Sequence, residues 1–391
     1  MIEENDMHKS AFIFSLLLVS IIACTTIDAV DPTKNDATQE IEPAITPTAS
    51  WPPVTGPEPS MKVGAFYYPW YFNPEIDSKW VHWDQIHHLP PLDIASDFYP
   101  VLGAYSSNDP KVIAQHFAWL REAGVGVVIS SWWGPGTPTD QIVQLMLDIA
   151  DHYGLKLTFV IDHYPGRTAF TFRTNINYLI NTYGSHPAFY WTTQTSMYCP
   201  DENQKSLIYI WGTTNMEDGN PPVPFDYWRE ELDTLHGEDL CSIVITDEYD
   251  SNYRAESHFD GSYNYGVLDI DEVGYTYAND LPQGAWFVPG INPGFSAQRM
   301  GYASEVDTPR RDGQTYIDRW ERMFAVGVEP QMVVITTFNE WHEGTQIEPA
   351  QPGVVAPNGY KYLDYKDLGP DGYLKMTREW VDYFLSYEWP E

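Results

Sequence analysis

Eight short apolar runs, rich in β-branched and aromatic residues, recur along the chain and constrain its fold more than any other feature. They are "KVGAFYY" (62–68), "VGVVISSWW" (125–133), "LKLTFVID" (155–162), "SLIYIW" (206–211), "CSIVITD" (241–247), "SHFDGSYNY" (257–265), "GAWFVPG" (284–290) and "QMVVITTFNEW" (331–341). Helical patterns or long connections separate them. The stretch 109–124 opens on Asp109-Pro110 and closes on Gly124, and 139–154 closes on Gly154. Further helical patterns cover 174–184, 227–237 and 313–327. Such runs read as parallel strands buried on both faces. An open doubly wound sheet reads similarly, but no Gly-rich phosphate loop follows the first run, where a nucleotide-binding sheet wants one. The pattern predicts an α/β protein with a single (β/α)8 TIM barrel over residues 61–391, a length that suits one large barrel.

Ahead of the barrel lie two segments of different texture. "AFIFSLLLVSIIAC" follows "MHKS" and has the length of a signal-peptide core, too short for a full membrane span. It ends in Ile21-Ile22-Ala23-Cys24, which predicts a lipoprotein-type signal over 1–24 with Cys24 lipidated; an ordinary secretory signal is the alternative. Residues 25–60 are rich in Pro, Thr and acid, with no apolar period, and read as a flexible, disordered linker. The expected location is the cell surface or periplasm, or the exterior if the protein is secreted. The only expected membrane contact is the lipid. Outside the cytoplasm, Cys199 and Cys241 either pair or remain buried thiols, since spacing alone does not bring them together.

Charge excludes some partners. With 55 acidic against 21 basic residues, the formal charge is −34, so nucleic acid and anionic membrane surfaces are poor partners. The 15 Trp and 27 Tyr supply flat apolar faces with a polar edge, which suit a partly wet sugar-binding surface as well as a large core.

Catalytic groups of such barrels lie at the C-terminal ends of the strands. There the chain concentrates aromatics and carboxylates, most densely in "FNEWHEG" (338–344). Cleaving a glycosidic bond takes one carboxyl to protonate the leaving oxygen and a second acting at the sugar. Glu340 and Glu343 are the candidates. On a helical turn their Cβ atoms stand about 5–6 Å apart, compatible with the ~5–5.5 Å carboxyl separation of retaining enzymes. A solvated acidic loop is the structural alternative. "HEGTQ" lacks the second His of HExxH, which argues against a zinc peptidase, and no Cys/His metal spacing appears. Asp162 either bonds a sugar hydroxyl or anchors a loop. Trp132 and Trp133 either stack on a pyranose or pack the rim.

The segments "FYYPWYFNPEIDSKWVHWD", "SDFYPVLGAYSSNDPKVI", "INTYGSHPAFYW", "DTPRRDGQTYIDRW" and "ITTFNEWHEGTQIEPA" resemble glycoside hydrolase family 99, and the likeness runs over nearly all of residues 62–387. That family consists of endo-acting α-mannosidases and α-mannanases. The resemblance implies a metal-free barrel that retains anomeric configuration through an unusual route. The first Glu of the E-W-H-E motif acts as base on the sugar's own 2-hydroxyl, giving a 1,2-anhydro sugar, and the second protonates the leaving oxygen and then activates water. Carried over, Glu340 is the base and Glu343 the acid/base. Tyr68, Trp133, Asp162, Tyr263, Tyr265, Asn339 and His342 fall at substrate-binding positions. Where the family reads His-Ile-Glu-Pro-Tyr, this chain has Val160-Ile161-Asp162-His163-Tyr164, so a substrate hydrogen bond there shifts by about 1 Å or more.

The expectation is therefore a monomeric retaining endo-hydrolase acting on an α-mannan-type polysaccharide or mannose-rich glycan. One alternative keeps the mechanism on a different α-linked polysaccharide. Another is a non-catalytic glycan-binding surface lipoprotein.

Overall fold

The computed structural model describes residues 51–214, 224–238, 240–248, 250–266, 275–302 and 307–390. The signal segment, Cys24 and linker residues 25–50 lie outside the described residues. Among the described residues ten strands form: β1 (Ser60–Tyr67), β2 (Val125–Trp132), β3 (Lys156–Ile161), β4 (Trp191–Thr192), β5 (Lys205–Ile210), β6 (Ser242–Thr246), β7 (Gly261–Tyr263), β8 (Trp286–Val288), β9 (Gly290–Ile291) and β10 (Val333–Ile335).

Nine of them make one parallel sheet in the order β8-β7-β6-β5-β3-β2-β1-β10-β9, and β4 adds antiparallel to β5. The last strand of that order is bonded through the chain to the first, because only Pro289 separates β8 from β9. The seventh apolar run thus divides at Pro289: its first half pairs with β7 and its second with β10, and the ring closes there. Proline has no N–H to give a ladder, so it sits where one strand changes partners. Its carbonyl still accepts from Val334 N at 3.0 Å. Gly290 beside it is obligatory on packing grounds, since a Cβ would stand 1.7 Å from the Asn264 carbonyl oxygen. The barrel expected from the sequence is present, with eight stretches supplying nine parallel segments.

Strand residues alternate between two cores. Phe66, Val127, Ile129, Val160, Leu207, Tyr209, Ile243, Ile245, Val288 and Val334 share one buried cluster that contains no helical residue, and so they fill the barrel interior. The intervening positions, such as Ala65, Val128, Phe159, Ile208 and Val244, pack against helices Pro110–Glu122, Val143–Tyr153, Ala169–Tyr183, Phe225–His236 and Gln314–Ala325. The helix expected over 174–184 begins earlier because Thr168 caps it, exchanging hydrogen bonds with Thr171 in a capping box.

Two features depart from, or decide, the sequence reading. Residues 51–59, expected within the flexible 25–60 linker, instead lie against the barrel. Trp51 meets the His152 ring edge-on at 5.4 Å, Pro52 O accepts from Tyr153 OH at 2.8 Å, and Arg121 bonds Thr55 O and Glu58. A segment without periodicity docks here through individual contacts, which pattern reading does not see. Second, Cys199 and Cys241 are joined in a disulfide with Cα atoms 6.0 Å apart, tying the approach to β5 to the approach to β6.

Candidate active site

The carboxyl ends of the strands converge on one mouth. β1 delivers Tyr68, β2 Trp133, β3 Asp162, β5 Trp211, β7 Tyr265, and β10 the segment 336–348. That segment is a loop folded back on itself. Thr337 N donates to Thr345 O (3.0 Å), Thr345 N to Glu340 O (3.3 Å), and Glu348 N to Phe338 O (2.8 Å). The reversal needs Gly344: its φ is +60°, and a Cβ would lie 2.5 Å from Ser296 O. The hairpin-like return therefore lifts both glutamates off the strand end and fixes their backbone.

Glu340 is 3% exposed. Its N–H donates to Thr337 Oγ1 (2.8 Å), and its Oε1 accepts from the His342 N–H (3.0 Å). Its Oε2 is buried, with no hydrogen-bond partner among the described residues. Burial, and then the charge of Glu343, hold this carboxyl well above the ordinary range. His342 does nothing to neutralise it. Nε2 of that ring faces the His82 carbonyl at 2.9 Å and so carries the proton, which leaves Nδ1 as a lone pair 3.7 Å from Glu340 Oε1. Burial lowers the His342 pKa to about 4, keeping the ring neutral.

Glu343 accepts from Tyr265 OH at 3.3 Å, and Tyr265 OH is 2.8 Å from Tyr68 OH. Burial raises the Glu343 carboxyl to about 7, while the Tyr265 bond pulls the other way. Asn339 lies beneath them and holds Tyr68 by both backbone groups, accepting from Tyr68 N (2.7 Å) and donating to Tyr68 O (3.0 Å). Asn339 is fully buried, so in this structure its amide positions a tyrosine.

Asp162, 9% exposed, accepts through Oδ2 from Ser131 Oγ, which in turn accepts from Trp133 Nε1 at 2.9 Å. Burial pushes its carboxyl to about 6, against the pull of Ser131 and Arg167. The Trp133 ring is half-buried and meets Trp70 edge-on at 6.1 Å. Trp70 stacks on His82 at 4.7 Å, and His82 on His342 at 5.5 Å, which extends one aromatic wall from β2 to the 336–348 loop. Trp132, weighed with Trp133, is fully buried and donates to Asp140, so it packs outward. Tyr263 lies one layer below Tyr265, with its hydroxyl donated to Ile210 O at 3.1 Å.

Glu340, Glu343, Tyr68, Tyr265, Asp162, Trp133, Asn339 and His342 are thus gathered at one mouth, and Tyr263 supports it from beneath. Sequence reasoning missed Trp70, His82, Tyr105 and Glu348. The last of these stands eight residues past Glu340 within the same acidic stretch.

A mouth carrying two like-charged, proton-hungry carboxyls and an aromatic wall is equipped for acid/base chemistry on a sugar. The comparisons agree. The model of Glycosyl hydrolase family 99 matches residues 60–386. The chain is 34% identical to the glycoprotein endo-alpha-1,2-mannosidase of Mus musculus over 82% of its own length and 74% of that protein. It is 33% identical to the endo-alpha-1,2-mannosidase-like protein of Danio rerio, over 84% and 80%. The structure of the GH99 endo-alpha-mannosidase from Bacteroides thetaiotaomicron matches with a TM-score of 0.72 and 31% identity, covering 84% of this chain and 98% of that one. Matched over its whole barrel, the chain belongs to glycosyl hydrolase family 99.

Proposed function

We propose that the protein is a retaining endo-acting α-mannosidase that cleaves mannan-like polysaccharide or mannose-rich glycan through a 1,2-anhydro sugar, with Glu340 as base and Glu343 as acid/base. The observation that carries this reading is the Glu340 carboxylate. It is buried and raised in pKa, and among the described residues no cation pairs with it and no donor reaches its Oε2. A sugar 2-hydroxyl placed there supplies the missing hydrogen bond. Accepting it favours the ionised form of Glu340 and leaves the proton shared by the pair on Glu343.

In the first step Glu340 takes the 2-hydroxyl proton, O2 bonds to the anomeric carbon, and the glycosidic bond breaks as Glu343 protonates the departing oxygen. In the second, Glu343 removes a proton from water, water oxygen bonds to the anomeric carbon, and the O2–C1 bond breaks with proton return from Glu340. Two inversions retain configuration. No charge has to develop on unassisted oxygen. Asp162 is offered to a hydroxyl of the sugar beside the cleaved bond, and Trp133 with Trp70 to an apolar ring face. The same proposal has the protein monomeric and anchored through Cys24 at the cell surface or in the periplasm, which the disulfide suits.

The test is release of oligosaccharides from an α-1,2/α-1,3-branched mannan by the parent protein beside its Glu343→Gln variant. Release by the parent, reduced roughly 10²–10⁴-fold in the variant, is expected for loss of a general acid. Tight mannan binding by both without turnover would make the protein a glycan-binding one instead.

A further inference from the structure

Beneath the mouth lies a further buried acid, which does not face solvent. Glu348 is fully buried. Its Oε2 accepts from Trp341 Nε1 at 2.8 Å and from Tyr105 OH at 2.9 Å, and its Oε1 lies 3.2 Å from His116 Nε2. His116, itself fully buried, meets Tyr67 OH through Nδ1 at 3.0 Å. The three partners come from the 336–348 loop, the loop before helix Pro110–Glu122 and that helix, and Tyr67 of β1 joins through His116. Sequence separations of 232 and 243 residues span these contacts.

Glu348 is connected to Glu343 by hydrogen bonds that run through the side chain of Tyr68 from its backbone to its hydroxyl. Tyr105 OH stands 3.4 Å from Asn339 Nδ2 and 3.2 Å from Trp341 Nε1. Asn339 clamps the Tyr68 backbone, Tyr68 OH meets Tyr265 OH, and Tyr265 OH meets Glu343. Glu340 is held by Thr337 Oγ1 and the His342 N–H. Tyr265 is the hydrogen-bond partner that the structure gives the Glu343 carboxylate. Glu348 also holds Trp341, the residue after Glu340, so a displacement starting at Glu348 reaches both carboxyls, Glu343 through the two tyrosines and Glu340 through the backbone; Tyr105→Phe leaves the Trp341 bond in place and so bears chiefly on the first path.

We propose that Glu348 is a positioning residue for the general acid, acting through Tyr105, Asn339, Tyr68 and Tyr265 to set where the Glu343 carboxyl stands. The alternative is a buried polar group that serves folding alone. The two differ in which substrates suffer. Misplacing a proton donor harms departure of a poor leaving group and spares one that departs unassisted. Loss of stability harms all substrates alike.

The inference rests on Glu343 being the acid, so the experiment carries its own control. The parent, Glu343→Gln, Glu348→Gln and Tyr105→Phe are assayed on a mannan oligosaccharide and on a mannosyl donor with an activated leaving group, with unfolding followed in parallel. Tyr105→Phe removes the bridging hydroxyl without changing shape, and it keeps the Trp341 bond to Glu348. Glu348→Gln and Tyr105→Phe are expected to lose kcat on the oligosaccharide by about 10–100-fold, the scale of an ångström of misplacement. KM should be little changed, and the activated donor should lose less than about 3-fold. Wild-type kcat on the oligosaccharide in a folded Tyr105→Phe overturns the proposal. So does an equal loss on both substrates that follows the fall in stability. If Glu343→Gln shows no leaving-group dependence, the acid assignment itself fails, and the proposal falls with it. If only Glu343→Gln shows it, the acid stands and the positioning role of Glu348 does not.

Discussion

Glu340 and Glu343 are both raised chiefly by burial, and that burial makes them costly to the fold. A carboxyl whose folded pKa exceeds its unfolded value holds its proton more tightly when folded, so stability falls as pH rises between the two values. For Glu343 that window runs from the ordinary carboxyl range up to about 7. Glu343→Gln is therefore expected to be more stable than the parent at pH 8, by on the order of 1–3 kcal/mol, and close to it at pH 4. Thermal unfolding at the two pH values reads this directly. Activity carries the same signature. The pair loses its first proton above the usual carboxyl range, which places the acidic limb of kcat/KM nearer pH 7 than pH 4.5. In Glu343→Gln, assayed on an activated donor, that limb should move to lower pH, because the like charge beside Glu340 is gone. Glu340 and Glu343 were legible as candidates because they follow an apolar strand within four residues of each other. What raises Glu340 is burial and then the charge of Glu343, and that His342 does not offset it depends on the His82 carbonyl, 260 residues from that histidine.

Among the elements, sequence and structure agree where one chain segment carries its own pattern. Strands β1, β2, β3, β5 and β6 fall within a residue or two of the runs that announce them, because β-branched and aromatic density is local. The agreement weakens where an element is defined by something distant. The 284–290 run is one stretch of sequence and two strands, since it changes partners at Pro289. Residues 51–59 have no period, yet they dock onto helices Pro110–Glu122 and Val143–Tyr153. A chain beginning at Ser60 is therefore expected to unfold about 2–4 kcal/mol more easily than one beginning at Trp51, from a half-buried Trp and several hydrogen bonds. Denaturant unfolding of the two checks it, and equal midpoints would show that the docked segment adds nothing. The Cys199–Cys241 disulfide closes a span of 42 residues. Its removal by paired Ser substitution should cost about 4 kcal/mol on the chain-entropy account.

For the whole molecule, a parallel barrel serves this chemistry by bringing distant sequence to one mouth on a rigid frame. Tyr68, Asp162, Tyr265 and the Glu340–Glu343 loop come from β1, β3, β7 and β10, and the closed ring keeps their relative positions. The formal charge of −34 makes a neutral glycan a more compatible polymer than a polyanion. The central claim is that the sugar's own 2-hydroxyl is the first nucleophile and water the second, so that two inversions occur. It is tested most directly by following, with proton NMR from the first minutes, the reducing end of oligosaccharides released from an α-mannan by the parent protein. Products that appear first as the α-anomer and then mutarotate are the predicted result. Products that appear first as the β-anomer would contradict the account, because water would then have displaced the leaving group in a single step.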